Sequence, residues 1–106
     1  MPKYLVQASY TTEGAKGVAS KGGSARRDAV AKMYEASGGK MEAFYFAFGD
    51  VDAYVFGELP SNEAATALSL AVNSSGAANC TVVALLTPEE VDAAAQAAVQ
   101  YTPPGG

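Results

Sequence analysis

Few side chains in this sequence can carry chemistry, and their types narrow the possibilities at once. The 106 residues contain no histidine and a single cysteine, Cys80. The common zinc and haem ligand sets draw on His and Cys. Neither set can be assembled within one copy of the chain, so no metal and no cofactor is expected. The same count removes Ser-His and Cys-His nucleophile pairs. Cys80 opens a strand-like run with no base beside it and reads as a small buried hydrophobe. Carboxylates, one arginine pair, several aromatics and a set of glycines remain.

Asp50 and Asp52 are two apart, so on a strand they share a face. They read either as a turn aspartate followed by a strand-end aspartate, or as a carboxylate at the mouth of a cleft acting as base or acceptor. Arg26 and Arg27 are adjacent on a helical segment, about 100° apart. One can turn inward while the other stays solvated, Arg27 pairing with Asp28 or Glu35. An inward Arg26 would suit an anion or carboxylate near the helix start. Tyr45, Phe46, Tyr54 and Phe56 are core or interface residues, or the walls of a pocket for a small planar molecule with Tyr hydroxyls to orient it. Gly14, Gly17 and Gly22-Gly23 match no phosphate-binding motif. They read as kinks in a helix, or alternatively as a break that opens a ligand gap beneath it.

These residues must be positioned by one domain, since 106 residues is a single-domain length. Apolar residues make up 49% and charged residues 17%, which is globular composition rather than disorder. The net charge is −4 and the densest basic spot is the Arg26-Arg27 pair, so nucleic acid is not an expected partner. No apolar run approaches 18 residues, and Met1-Pro2-Lys3-Tyr4 leads straight into strand-like residues without a secretion signal. Membrane insertion and export are not expected. A lone cysteine fits the reducing cytoplasm.

The elements follow from periodicity and punctuation. Tyr4–Tyr10 is a predicted strand, rich in aromatic and apolar residues. Thr11 and Thr12 with Glu13 start a helix over Thr12–Ser37, interrupted at Gly22-Gly23, restarted at Ser24 and ended by Gly38-Gly39. Met41–Phe48 and Asp52–Leu59 form an antiparallel hairpin about Gly49-Asp50. Pro60-Ser61 caps a helix over Asn62–Val72, and Asn79–Leu86 is the fourth strand. Thr87-Pro88-Glu89-Glu90 is a capping box opening a last helix to about Val99. The order βαββαβ is the ferredoxin-like one: an α+β domain with a four-stranded antiparallel sheet, two crossover helices on one face and a further C-terminal helix.

The strand parity predicts a partner. Ala53, Val55, Gly57 and Leu59 share one face, small enough to lie under helices. Asp52, Tyr54, Phe56 and Glu58 share the other. In the second strand Phe44, Phe46 and Phe48 point one way, and Met41, Ala43, Tyr45 and Ala47 the other. A sheet wet on one side alternates apolar with polar, and this one carries large aromatics on both. A second copy of the chain is the expected cover, giving a homodimer or larger homo-oligomer. The C-terminal helix is the competing cover.

The run Gly49-Asp50-Val51-Asp52-Ala53-Tyr54-Val55-Phe56, followed by Glu58-Leu59-Pro60, resembles the GYD-domain family. Tyr4–Thr11, Glu13-Gly14-Ala15, the arginines after the double glycine and Gly38-Gly39 resemble it too. The chain carries Val51 where the family's tyrosine would precede Asp52. The resemblance implies a small bacterial or archaeal protein of the dimeric α/β-barrel, ferredoxin-like superfamily, without a characterised activity. Relatives in that superfamily include cofactor-free monooxygenases, haem enzymes and isomerases. The expected function is a homo-oligomeric binding or structural module. The alternative is a cofactor-independent monooxygenase or isomerase acting on a small aromatic or polyketide-like substrate. For either, Arg26, Tyr45, Phe46, Asp52 and Tyr54 are the candidate cleft residues, and a small apolar or aromatic molecule is a possible ligand.

Overall fold

The computed structural model describes every residue except Phe48, so the expected facing of that side chain lies outside the described residues. Four strands form one antiparallel sheet in the order β2-β3-β1-β4. They are β1 (Lys3–Tyr10), β2 (Lys40–Phe46), β3 (Ala53–Glu58) and β4 (Ala78–Leu85). Helices α1 (Thr12–Lys21) and α2 (Gly23–Ala36) join β1 to β2, α3 (Asn62–Ser74) joins β3 to β4, and α4 (Pro88–Gln96) follows. This is the expected α+β, ferredoxin-like order, with the first crossover split in two.

Local chemistry explains the boundaries. Thr11 caps α1, Ser61 caps α3 and Thr87 caps α4, each hydroxyl accepting from a backbone N–H three residues on. Gly22, at φ +93°, closes α1 and opens α2, a left-handed turn that favours glycine. Gly38, at φ +83°, ends the second helix.

The core lies between the sheet and helices α2 and α3. It is built from Tyr4 and Val6 of β1, Val30 and Tyr34 of α2, Val55 of β3, Leu59, and Ala65 and Leu68 of α3. Tyr34 and Leu59 are its largest fully buried side chains. Ala53, Val55, Gly57 and Leu59 are all buried, as their small size predicts. Gly57 is required: a Cβ there would stand 2.5 Å from the Tyr34 ring and 2.8 Å from the Lys40 carbonyl oxygen.

One facing differs from simple alternation. The β2–β3 register shifts between Met41 and Ala43. Met41 stays opposite Gly57 and packs against the core, while Ala43 lies opposite Phe56 on the other face. A bulge inserts one residue and breaks the period of two. Met41 therefore belongs to the helix side, not with Ala43 and Tyr45.

The face away from the helices is uncovered. The rows Ala43–Phe56–Leu5–Val83 and Tyr45–Tyr54–Gln7–Thr81 run across all four strands. Tyr45, Phe56 and Val83 are exposed. At one end Lys3 donates to both Glu42 carboxylate oxygens, at 3.0 and 2.8 Å, which holds its ammonium pKa above the ordinary value.

Helix α4 does not close that face. Every one of its residues is exposed, and the chain extends 56 Å along its longest axis. The radius of gyration is 16.8 Å, against about 13 Å for a packed domain of this length. The exposed surface is 7088 Å², against about 5,500 Å² for a monomeric protein of 10.8 kDa. The projecting arm, exposed from Pro88 to Gly106, contributes to both.

A free helix of nine residues is below the length that is stable in water, so α4 relies on its cap. Thr87 Oγ1 accepts from the Glu90 N–H at 3.1 Å, and Glu90 Oε1 accepts from the Thr87 N–H at 3.0 Å. Replacing Thr87 with Ala is expected to cost α4 about 1 kcal/mol. Amide exchange along Val91–Gln96 should speed up severalfold while Tyr34 and Val55 keep their protection. Unchanged exchange in α4 would show that something other than the cap holds it.

Candidate functional site

A concavity lies on the helix side, beneath the α1–α2 break. It is a cleft of about 500 Å³ walled by α1, α2, the end of α3, the start of β4 and Tyr10. That volume falls in the range of small-molecule sites, about 300–1,000 Å³. Glycine and alanine keep it open. At Gly14 the backbone of α1 passes so close to the chain before β4 that a Cβ would overlap the Ala77 carbonyl oxygen. The Thr11 N–H donates to that same oxygen at 3.0 Å, and the Thr11 hydroxyl to the Gly76 carbonyl at 2.8 Å. These contacts tie the start of α1 to the α3–β4 loop and let the rest of α1 stand away from α3.

Gly17 lines the cleft, and a Cβ added there meets no atom within 4 Å. Gly17→Ala is therefore expected to stabilise the fold by roughly 0.5–1 kcal/mol through helix propensity alone. A thermal melt reads this as a few degrees gained. A loss of stability would mean that α1 packs more closely than described.

Arg26 is the one arginine turned into the cleft. Its Cζ stands 5.9 Å from the centroid of the Tyr10 ring, a cation–π distance. Its Nε is buried and has no hydrogen-bond partner among the described residues. Arg27 faces solvent, with Nε 3.1 Å from the Asp28 carboxylate. The helical offset of the pair thus separates one solvated and one inward guanidinium.

Behind the cleft lies a second space of about 30 Å³. Tyr10, Arg26, Met33, Val72 and Ala78 line both, so the smaller space adjoins the floor of the larger across those side chains. Tyr34 lines only the floor. It is 1% exposed, and its hydroxyl has no partner among the described residues. Burial, and secondarily the electrostatic influence of Cys80, push its pKa up to about 12. Two buried donors without acceptors are unusual, because buried polar groups are nearly always paired.

The raised Tyr34 pKa has a stability consequence with a definite sign. The unfolded chain ionises near 10 and the folded chain near 12. Between those values the unfolded state binds fewer protons, so stability is complete below pH 10 and falls as pH rises towards 12. Tyr34→Phe should flatten that alkaline limb in a urea-melt series. An unchanged limb would assign it to other groups.

The other expected cleft residues lie elsewhere. Tyr45 and Tyr54 sit opposite each other on the open sheet face, away from Arg26. Phe46 lies on the helix side at the edge strand, edge-on to Phe44 at 5.0 Å between ring centres. It packs where Gly23 has no Cβ, which would come within 2.9 Å of the ring. Asp52 is engaged in the sheet. Its Oδ2 accepts from the Tyr10 N–H at 2.8 Å, and its own N–H donates to the Ala8 carbonyl at 2.9 Å. The structure therefore brings Arg26 together with Tyr10 and Tyr34, not with Tyr45, Asp52 and Tyr54. Among the described residues, no three His, Cys, Asp or Glu side chains cluster as metal ligands would.

The family model described as the GYD domain matches residues 4–95. The chain belongs to the GYD-domain family. The match runs from β1 into α4, so the cleft, its floor and the open face all belong to the GYD domain. No curated protein and no solved structure matches the chain. Among the described residues, no helix of this GYD domain is long and apolar enough to cross a membrane.

Proposed function

We propose that this GYD domain is a self-associating binding module. Two copies pair through their open sheet faces, and each holds a small, largely apolar molecule in its helix-side cleft. The carrying observation is the row Ala43–Phe56–Leu5–Val83, which crosses the whole sheet with no helix of the chain above it. Contiguous apolar surface of this kind marks an interaction site.

The chain exposes about 1,500 Å² more than the scaling for monomers allows, the projecting α4 arm included. A standard interface buries about 800 Å² per partner. A two-fold axis would set the same rows face to face, Phe56 and Leu5 of one copy against their equivalents. The free α4 arm supplies further surface for the same contact.

An isotope-filtered NOE experiment on mixed labelled and unlabelled chains tests the geometry. Contacts between copies are expected from the methyl and ring protons of Leu5, Phe56 and Val83. Contacts confined to α1, α2 or α3 would contradict it.

A further inference from the structure

The two unpartnered donors give the cleft a chemical preference. Arg26 Nε and the Tyr34 hydroxyl are buried and unpaired, and both side chains line the floor space. Both lack an acceptor among the described residues. No carboxylate of the described residues lies within ion-pair distance of Arg26; Arg27–Asp28 and Lys3–Glu42 are the pairs formed. The charged groups on the outer cleft are Glu13 and Lys21, one of each sign, so Arg26 leaves an excess positive charge inside.

We infer that the cleft binds a small monocarboxylate with an apolar body. This rests on the reading of the cleft as a binding site and adds the head group. The carboxylate enters the floor space, accepting from Arg26 Nε and the Tyr34 hydroxyl. The body fills the outer cleft against Val18, Ala29, Met33 and Val72.

Size and charge select the class. The floor of about 30 Å³ takes a group of one or two non-hydrogen atoms, the scale of one water or of carboxylate oxygens. A phosphate brings more oxygens and charge than one guanidinium and one hydroxyl satisfy. Carboxylate against guanidinium is a charge-assisted pair, strengthened in an apolar setting. The outer cleft is about 500 Å³ and mainly apolar, which suits a short acyl chain or a single ring.

The test uses the intact protein with two pairs of probes: octanoate with octanamide, and phenylacetate with phenylacetamide. Calorimetry measures affinity, and chemical shifts of the α1 and α2 amides and of the Arg26 side-chain N–H locate binding. At least one carboxylate should bind tenfold or more tighter than its amide, with Arg26 perturbed. Arg26→Met should abolish that preference. Tyr34→Phe should weaken the carboxylate severalfold while the ligand-free protein melts no lower than the parent, since an unpaired buried hydroxyl is lost. If Arg26→Met does not fold, Gly17→Leu, whose side chain points into open cleft, should block both carboxylates without lowering the melting temperature. Equal affinities for acids and amides would overturn the carboxylate and leave the cleft as a neutral apolar site. No perturbation of the cleft by any of the four probes would overturn both the carboxylate and the binding reading.

Discussion

Phe56→Asp is expected to convert the protein to monomers, raising the dimer dissociation constant by at least a hundredfold. Phe56 lies at the middle of the apolar row, flanked by Leu5 and Ala43, and is exposed within one chain. An aromatic at the centre of an interface typically contributes 2 kcal/mol or more, and a two-fold axis uses it twice. The variant replaces that contact with two facing carboxylates at close range, which adds repulsion. Since Phe56 is no part of the core, the fold should survive, with an unchanged far-ultraviolet spectrum. Sedimentation velocity at micromolar concentration reads the outcome. A variant that still sediments as the parent does would place the interface elsewhere.

Gly57→Ala is expected to have the largest effect on the fold itself, lowering stability by roughly 3 kcal/mol, the upper end for overpacking a core. The added methyl would collide with the Tyr34 ring and with the Lys40 carbonyl. Neither neighbour can yield easily. Tyr34 is fully buried, and Lys40 belongs to the β2–β3 ladder opposite Glu58. For a domain of this size the change corresponds to a melting temperature about 15 °C lower. Calorimetry of the variant checks it, and a shift of only a few degrees would mean that Tyr34 has room to move. Because Tyr34 also lines the cleft floor, a ring displaced but still packed would register as altered carboxylate affinity before it registered as unfolding.

Much of this architecture can be read from residue types. The capping triplets after Thr11, Ser61 and Thr87 place three helix starts. The small set Ala53, Val55 and Gly57 names the covered face, and the double glycine places the helix break over what proves to be the cleft. The adjacent arginines divide as helical geometry requires, Arg26 inward and Arg27 outward.

Other features leave little trace in the sequence. The bulge after Met41 carries no Gly or Asn signal, so the simple period of two misplaces Met41. Tyr10 and Tyr34 form the inner site with Arg26, yet each reads in sequence as an ordinary strand or helix aromatic. That Tyr34 ends without an acceptor is a property of packing, not of its neighbours along the chain. Tyr45 and Tyr54 read as companions of Arg26 because aromatic rings can wall a pocket and their hydroxyls can orient a ligand. Strand parity sets them on the face that the arginine's helix does not cover. The detachment of α4 is likewise tertiary, since its alanines suit packing against a surface that its own chain does not provide.

Sedimentation equilibrium of the unmodified protein across the micromolar range tests the central claim of self-association most directly. The expected result is a single species of twice the 10.8 kDa chain mass, dissociating only on dilution. A mass of one chain throughout that range would contradict the pairing of open sheet faces and leave Phe56, Leu5 and Val83 as an exposed apolar surface of a monomer.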